Sequence, residues 1–294
     1  MNEKKQKWLA VSLLLLTAMF WGGGFIFQKY TTARMSSSFI VAARFTMASI
    51  ALAIVCIKKL HLLQEDKGYL LGGAVTGVTM ACGNLLQNLG MAYGTDAGKS
   101  AFLTAAYCVM VPFLGWLFFR RFPKRNHILS AVLCLAGIGL ISLNTSSGIA
   151  FGDALTLISA IAFALNIVFV AHFCQGRDPI VLTMTQIWAA AISGWLVTIF
   201  TGGLPAETIS AAAWGSLVYL GLFSTALCLA MESVGLKYTD PTVASILLSL
   251  ESVFGVVFSV LVYHEVITFR VGIGFIVVFA AVILSQLPQK QSAS

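Results

Sequence analysis

The amino-acid sequence predicts an all-α integral membrane protein with ten transmembrane helices, arranged as two inverted five-helix repeats. The chain of 294 residues is 59% hydrophobic and only 10% charged, and its mean hydropathy is +0.91. Soluble proteins carry about 25% charged residues, so a soluble fold is excluded. The apolar runs are about 20 residues long, which is the length of a helix that crosses a bilayer. A motif in the first half of the chain returns in the second half.

Charged and turn residues separate the apolar runs and define the helices in order. We expect helices because a helix satisfies its backbone polar groups internally, where lipid offers them no partner. The predicted helices cover residues 9–28, 37–57, 68–92, 98–119, 126–143, 152–172, 179–201, 211–235, 241–262 and 268–286. An even number of crossings returns both termini to the same side of the membrane.

The repeat is carried by the stretch Gly90–Arg125 and its partial copy Gly235–Arg270, about 144 residues later. Each copy begins with a short segment that ends in Thr-Asp and continues into an apolar run of membrane length. We therefore divide the chain into a first repeat at 1–143, a linker at 144–151 and a second repeat at 152–294. Each repeat holds five crossings, and this odd number requires the second copy to insert upside down.

The distribution of Lys and Arg predicts that both termini lie in the cytoplasm, because cytoplasmic loops carry an excess of these residues. The side of the termini carries Lys4, Lys5, Lys7, Lys58, Lys59, Lys67, Arg120, Arg121, Lys124, Arg125, Arg177, Lys237 and Lys290. The other side carries Lys29, Arg34, Lys99 and Arg270. We interpret the net charge of +7 as this topology signal and not as a nucleic-acid surface, and we expect a bacterial cytoplasmic membrane protein.

The sequence predicts neither an enzyme nor a cofactor site. The six cysteines are isolated and lack the paired spacing of a disulfide framework or a metal site. The sequence also lacks phosphate-loop and zinc-protease motifs and a Ser/His/Asp set at plausible depth. We therefore expect no cofactor and no metal.

Polar residues at membrane depth are costly and usually face a bundle interior or a wet cavity. Asn84, Gln87 and Asn88 are three and four residues apart, so they share one helix face. Two interpretations remain open for them, namely lining a substrate cavity and joining two helices. Trp21 and Tyr107 lie in mid-helix, away from the interfacial belt of aromatic residues. Their position favours a cavity that stacks planar or apolar groups.

Three of the charged residues within or at the start of predicted helices are candidates for a role at membrane depth or at its edge. Glu251 lies near the centre of the ninth helix, where it either exchanges a proton between the two faces of the membrane, or stays neutral or paired with Arg44 or Lys99. Arg44 either snorkels towards the outer surface or counters a carboxylate of Glu251 or of the substrate. We interpret Lys99 as a snorkelling residue at the outer edge.

The repeat alignment adds further candidates. Gln186 aligns with Arg44, and Glu232 aligns with Asn88. Glu232 lies closer to the cytoplasmic end, so a hydrated ion pair beside Lys237 and a role in coupling are both open.

Several motifs together resemble the EamA family of the drug/metabolite transporter superfamily, and the resemblance covers nearly the whole chain. They are F-W-G-G-G-F-I-F at 20–27, A-R-F at 43–45, Q-N-L-G-M-A-Y-G-T-D-A-G-K-S-A-F-L-T-A-A-Y-C-V-M-V-P at 87–112 and G-L-K-Y-T-D-P-T-V-A-S-I-L-L-S-L-E-S-V-F at 235–254. A departure occurs at H-E-V-I-T, residues 264–268, where the family usually has Gly in place of the His. The outer turn of the ninth helix is therefore expected to differ.

The resemblance implies two inverted halves around a central cavity, bordered by helices one to four and six to nine, and movement by alternating access. Family members commonly export amino acids, drugs or other small metabolites. Carried over by position, the substrate-binding candidates are Trp21, Arg44, Asn84, Gln87, Asn88, Lys99, Tyr107, Gln186, Glu232 and Glu251, with Glu251 also the candidate for proton coupling.

From these observations we expect a secondary transporter that exports a small amphipathic, amino-acid-like metabolite. Transport is either coupled to the proton gradient or occurs by facilitated diffusion. The alternatives are an importer of a vitamin or nucleoside-like compound, a flippase of a lipid-linked sugar, and a membrane enzyme or signalling protein. The expected partners are a small-molecule substrate and the lipid bilayer, without nucleic acid. Because one chain contains both halves, a monomer suffices, and a dimer remains open.

Overall fold

The structure is a computed structural model that describes residues 3–120, 122–142, 150–205, 208–263 and 269–287. Its α-helices are α1 (Glu3–Thr32), α2 (Ser37–Cys56), α3 (Leu62–Glu65), α4 (Gly68–Ala92), α5 (Ala97–Ala105), α6 (Tyr107–Phe119), α7 (Arg125–Ser142), α8 (Phe151–Phe173), α9 (Pro179–Phe200), α10 (Ala211–Gly221), α11 (Cys228–Tyr238), α12 (Pro241–Leu248), α13 (Glu251–Tyr263) and α14 (Phe269–Gln286). No residue in the described ranges forms a β-strand. Most of the predicted linker, the 264–268 motif, Arg121 and Lys290 lie outside the described residues.

Among the described residues, seven helical segments are long and apolar enough to cross a membrane, as expected of a multi-pass membrane protein. They are Glu3–Thr32, Ser37–Lys59, Gly68–Ala92, Ala97–Phe119, Phe151–Phe173, Pro179–Phe200 and Ala211–Tyr238. Three shorter apolar helices lie at the positions of the remaining predicted crossings. They are Arg125–Leu140, Pro241–Gly255 and Gly272–Ser285. The helix ends agree with the sequence expectation to within a few residues, except that α1 extends further in both directions.

The fourth and ninth predicted helices are each interrupted, which corrects the expectation of continuous helices at 98–119 and 241–262. The backbone N–H of Ala106 donates to the carbonyl of Leu103 over 3.3 Å, and that of Leu250 donates to Leu247 over 3.3 Å. These three-residue bonds tighten one turn between α5 and α6 and between α12 and α13. The two breaks therefore have the same local geometry at positions that the sequence repeat aligns.

The eighth predicted helix also departs from regular geometry. One π-helical stretch, Leu222–Leu227, lies between α10 and α11. The hydroxyl of Thr225 donates to the carbonyl of Leu220 at 2.7 Å. A π-turn inserts one extra residue per turn, so it changes the direction in which neighbouring side chains point.

Helix starts follow recognisable capping signals. Asp178 and Asp240 each precede a proline, and their side chains accept hydrogen bonds from Ile180 N and Thr242 N, both at 2.9 Å. An N-cap carboxylate satisfies a free amide, and proline at the first helical position loses no hydrogen bond there. These signals fix the beginnings of α9 and α12.

The core is formed by extensive packing of α4 against α8 and α9, of α2 against α9, and of α7 against α14. Small residues allow these helices to approach closely. Gly73 and Gly77 on α4 face Thr185 and Gln186 on α9 with no room for a Cβ atom. The packing of α4 on the second half of the chain brings the polar face of α4 into the centre of the protein.

Candidate functional site

A cavity of about 60 Å³ lies at the centre of the helix bundle. It has room for a few water molecules, since about 10–15 Å³ of such space holds one. Seven of the ten sequence candidates line it: Trp21, Arg44, Asn84, Gln87, Tyr107, Glu232 and Glu251. Further polar residues in its wall are Gln28, Thr104, Asn166, Ser224 and Thr225, and apolar residues include Phe25, Phe45, Phe163, Ile167 and Leu229.

Arg44 on α2 is buried, with 5% of its surface exposed. Its Nε donates to Thr225 Oγ1 at 2.8 Å, Nη1 to Asn84 Oδ1 at 2.9 Å, and Nη2 to Ser224 Oγ at 3.3 Å. Among the described residues no carboxylate pairs with this guanidinium. Arg44 therefore neither snorkels to the surface nor pairs with Glu251, so both of these sequence-based interpretations are wrong.

The π-helical turn explains the partners of Arg44. Ser224 and Thr225, whose hydroxyls accept from the guanidinium, both lie in this turn. The carbonyl of Ser224 also accepts a hydrogen bond from Trp21 Nε1 at 2.7 Å. The π-turn thus directs the hydroxyls of Ser224 and Thr225 and the carbonyl of Ser224 towards α1 and α2, on the side that faces the cavity.

A chain of amide hydrogen bonds joins α1, α4 and α5. Gln28 Nε2 donates to Gln87 Oε1 at 2.8 Å and to Asn88 Oδ1 at 2.7 Å. Gln87 Nε2 in turn donates to Thr104 Oγ1 at 2.8 Å. Gln87 lines the cavity, whereas Asn88 lies behind it and joins two helices. Asn84 and Gln87 therefore line the cavity, whereas Asn88 makes a contact between α1 and α4.

Two glutamate side chains line the cavity, and neither forms an ion pair with a cation among the described residues. Glu251 Oε1 accepts a hydrogen bond from Tyr107 OH at 3.3 Å. Glu232 is 2% exposed and makes no hydrogen bond or ion pair with any residue that the structure describes. The two carboxyl groups are close enough to interact electrostatically. Lys237 instead donates to the carbonyl of Arg177 at 2.8 Å, so the expected pair of Glu232 with Lys237 is wrong.

Lys99 and Gln186 lie outside the cavity wall. Lys99 Nζ lies 2.6 Å from Asp153 Oδ2, which corrects both the snorkelling interpretation and the proposed pairing with Glu251. Gln186 on α9 is 1% exposed, and neither atom of its amide has a hydrogen-bond partner among the described residues. Its backbone packs against Gly77, so the structure brings Gln186 into a helix contact and not into the cavity.

Sequence reasoning missed five polar residues of the cavity wall. Two carried a usable signal: Gln28 lies seven residues after Trp21 on the same helix face, and Asn166 is a single amide in an apolar run of membrane length. Thr104, Ser224 and Thr225 carried none, because small hydroxyl residues are common in transmembrane helices and usually bond to their own backbone.

At the ends of the membrane segments, two ion pairs join the segment 59–66 to the segment 177–178. Arg177 Nε lies 2.6 Å from Asp66 Oδ2, and Lys59 Nζ lies 2.7 Å from Asp178 Oδ2. The hydrogen bond from Arg177, with a second one from the Gly68 amide, lowers the pKa of Asp66. Burial alone would raise the pKa of Asp178, but the bonds from Lys59 and two helix amides outweigh it and lower that pKa. Both carboxylates therefore stay charged at neutral pH. We name these four residues the loop clamp.

Comparison with known proteins gives consistent matches along the chain. The EamA-like transporter family model matches residues 8–143 and again residues 150–287. An uncharacterized transporter of Archaeoglobus fulgidus is 30% identical over 276 residues, which cover 93% of this chain and 84% of that protein. The biotin transporter of Escherichia coli is 22% identical over 271 residues, which cover 87% of this chain and 85% of that protein.

A solved crystal structure shares the fold, with a TM-score of 0.76 at 13% sequence identity, over 94% of this chain and 96% of that structure. The family model covers almost all of the sequence, and the helices are those of a multi-pass membrane protein. The chain therefore belongs to the EamA-like transporter family, within the drug/metabolite transporter superfamily, and is a membrane transporter.

Proposed function

We propose that the protein is a secondary transporter that exports a small amphipathic metabolite, with an amino-acid-like compound as the best candidate. The observation that carries the proposal is Arg44, a buried guanidinium that lines a membrane-depth cavity and has no carboxylate partner in the described part of the chain. An ionisable residue at this depth marks a substrate or ion pathway. A carboxylate on the substrate would supply the missing negative charge.

We propose alternating access between two inverted halves of five helices each. Two observations support this arrangement. The family model matches the chain twice, once in each half. The helix contacts also occur in exchanged pairs: α4 packs on α8 as α11 packs on α1, and α5 and α6 pack on α8 as α12 and α13 pack on α1. One chain then contains a complete pathway, so a monomer suffices and a dimer is not required.

We propose that both termini lie in the cytoplasm of a bacterial cell, with the loop clamp at the cytoplasmic face. The charge distribution supports this orientation. Each ion pair among the described residues joins segments that the charge distribution assigns to the same face of the membrane. The two clamp pairs and the pair of His127 with Asp240 lie on the cytoplasmic face, and the pair of Lys99 with Asp153 lies on the outer face. We propose that Glu251 couples transport to protons, since it lines the cavity and forms no ion pair with any described residue.

A vitamin importer is the second candidate, because the biotin transporter of Escherichia coli matches most of the chain. A carboxylate-bearing vitamin would meet the same guanidinium and aromatic wall. The direction of transport is taken from the family resemblance, and it is measured by efflux from loaded cells or everted vesicles.

Counterflow in proteoliposomes tests the proposal. We expect labelled phenylalanine to accumulate in vesicles preloaded with the unlabelled amino acid, and Arg44→Leu to abolish this exchange. Arg34→Leu is the matched control, because Arg34 is exposed and stacks on Tyr30. Exchange of biotin but of no amino acid would favour the vitamin importer. Absence of exchange for amino acids, vitamins and nucleosides alike would overturn both candidates.

A further inference from the structure

The cavity contains an acidic side chain that the protein leaves unpaired. Glu232 on α11 is 2% exposed, lines the cavity and has no hydrogen-bond or ion-pair partner among the described residues. Burial of a carboxylate is costly unless a donor or a cation compensates it. No nitrogen of Arg44 forms an ion pair with it, because the guanidinium is held by Asn84, Ser224 and Thr225.

A second unpaired acceptor lies in the same wall. Asn166 Nδ2 on α8 donates to the carbonyl of Thr76 at 2.6 Å and to Thr79 Oγ1 at 3.2 Å. A carbonyl oxygen only accepts, so the amide nitrogen must face Thr76, and this fixes the orientation of the amide. Asn166 Oδ1 is the remaining atom. It is buried and has no partner among the described residues.

We propose that Glu232 and Asn166 form a subsite for a protonated amino group of the substrate, an inference that rests on the proposed transport function. Asn166 Oδ1 is an acceptor without a partner among the described residues, and an ionised Glu232 adds two acceptor oxygens and a negative charge to the same cavity wall. An ammonium group supplies three N–H donors on one positive charge. Phe163, Ile167 and Leu229 lie in the same wall and suit the carbon chain that carries the amine.

The wall is less suited to a metal ion. Metal ions that prefer oxygen ligands take about six of them, whereas Glu232 and Asn166 together supply only the two carboxylate oxygens and one amide oxygen. No group of three or more His, Cys, Asp or Glu side chains comes together in the described part of the chain. An organic cation therefore fits the chemistry better than a hydrated metal ion.

Three probes with the same phenyl ring test the subsite: L-phenylalanine, 3-phenylpropanoate, which lacks the amine, and 2-phenylethylamine, which lacks the carboxylate. Dissociation constants are measured at pH 7 on the full-length protein in detergent, in potassium and in sodium buffer. We expect Glu232→Gln to weaken phenylalanine and phenylethylamine about tenfold or more, as for loss of a charged hydrogen bond. It should leave phenylpropanoate unchanged.

Glu65→Gln is the matched control, because it removes the same charge from an exposed loop position. Glu232→Asp keeps the charge on a shorter side chain and should retain part of the preference for amines. If Glu232→Gln does not fold, the unmodified protein still tests the subsite, since phenylalanine should bind about tenfold tighter than phenylpropanoate.

Two outcomes would overturn the subsite, and they differ in what they imply for transport. Equal binding of phenylalanine and phenylpropanoate, unchanged by Glu232→Gln, removes the amine subsite and leaves the proposed transporter of carboxylates intact. Failure of all three probes to bind or to exchange in proteoliposomes removes the subsite together with the amino-acid-like substrate class.

Discussion

The hydroxyl of Tyr107 donates a hydrogen bond to Glu251 Oε1 over 3.3 Å, and the two residues are 144 positions apart. This separation is the offset of the sequence repeat, so the residues that the repeat aligns also meet in space. Each is the first residue of a helix that follows a break, α6 for Tyr107 and α13 for Glu251. The break and the polar contact therefore coincide in the two halves of the chain.

The first prediction concerns Glu251 as a coupling residue. Glu251→Gln should flatten the pH dependence of substrate flux in proteoliposomes, because the amide cannot take up or release a proton. Flux is measured as initial rates across a series of pH values, with Glu65→Gln as the control for loss of one negative charge. A pH dependence identical to that of the unmodified protein would exclude Glu251 as the coupling site.

The second prediction separates the ring of Tyr107 from its hydroxyl. Tyr107→Ala should weaken an aromatic substrate much more than an aliphatic one, because the stacking surface is lost. Tyr107→Phe keeps the ring and removes the bond to Glu251, so it should retain the preference for aromatic substrates. The measurement is competition between phenylalanine and leucine in counterflow. Equal losses for both amino acids in Tyr107→Ala would argue against stacking.

The third prediction concerns the close approach of α1 to α13. A Cβ atom at Gly22 would lie 2.6 Å from the carbonyl oxygen of Glu251, so Gly22→Ala must separate the two helices. We expect a loss of about 1–3 kcal/mol of stability, as for other overpacked sites, and a lower thermal midpoint in detergent. Gly23→Ala is the matched control, since its nearest neighbour, in Phe258, is 3.5 Å away. A midpoint lowered equally in both variants would contradict the assigned contact.

The fourth prediction uses the lowered pKa of Asp66 in the loop clamp. A carboxylate with a lowered folded-state pKa stabilises the protein above its unfolded pKa, and this contribution is lost as pH falls through the folded value. The thermal midpoint should therefore decrease when the pH is lowered below about 4. Asp66→Asn should show a smaller fall over the same range, whereas Glu65→Gln should behave like the unmodified protein. Identical acid profiles for Asp66→Asn and the unmodified protein would show that the clamp does not contribute.

Most of the crossings were predictable, because apolar runs bounded by charges specify a membrane helix almost independently of the rest of the chain. The breaks at Ala106 and at Ser249 and Leu250 were not, since neither stretch contains a helix-breaking residue. The π-turn at Leu222–Leu227 was equally invisible, since its freed carbonyl and hydroxyls are satisfied by Trp21 and Arg44. These partners are distant in sequence, so the deviation is encoded in tertiary contacts.

The cavity residues were predictable where depth alone made them costly, as for Arg44, Asn84 and Glu251. Their partners were not. The position of Lys99 at a helix start favoured snorkelling, but it pairs with Asp153, which lies 54 positions away. Depth in the membrane thus identifies a polar residue as unusual, whereas the partner depends on which helices pack together.

The small size of the central cavity has a consequence for any affinity measurement. Sites for drug-sized ligands span about 300–1,000 Å³, well above the 60 Å³ enclosed here. A ligand must therefore select a wider conformation, and its apparent dissociation constant is raised by the reciprocal of that conformation's population. A site whose side chains match the ligand well can then still show weak binding in the purified protein. Substitutions that favour the wider conformation should lower the apparent dissociation constant even where the substituted residue does not contact the ligand.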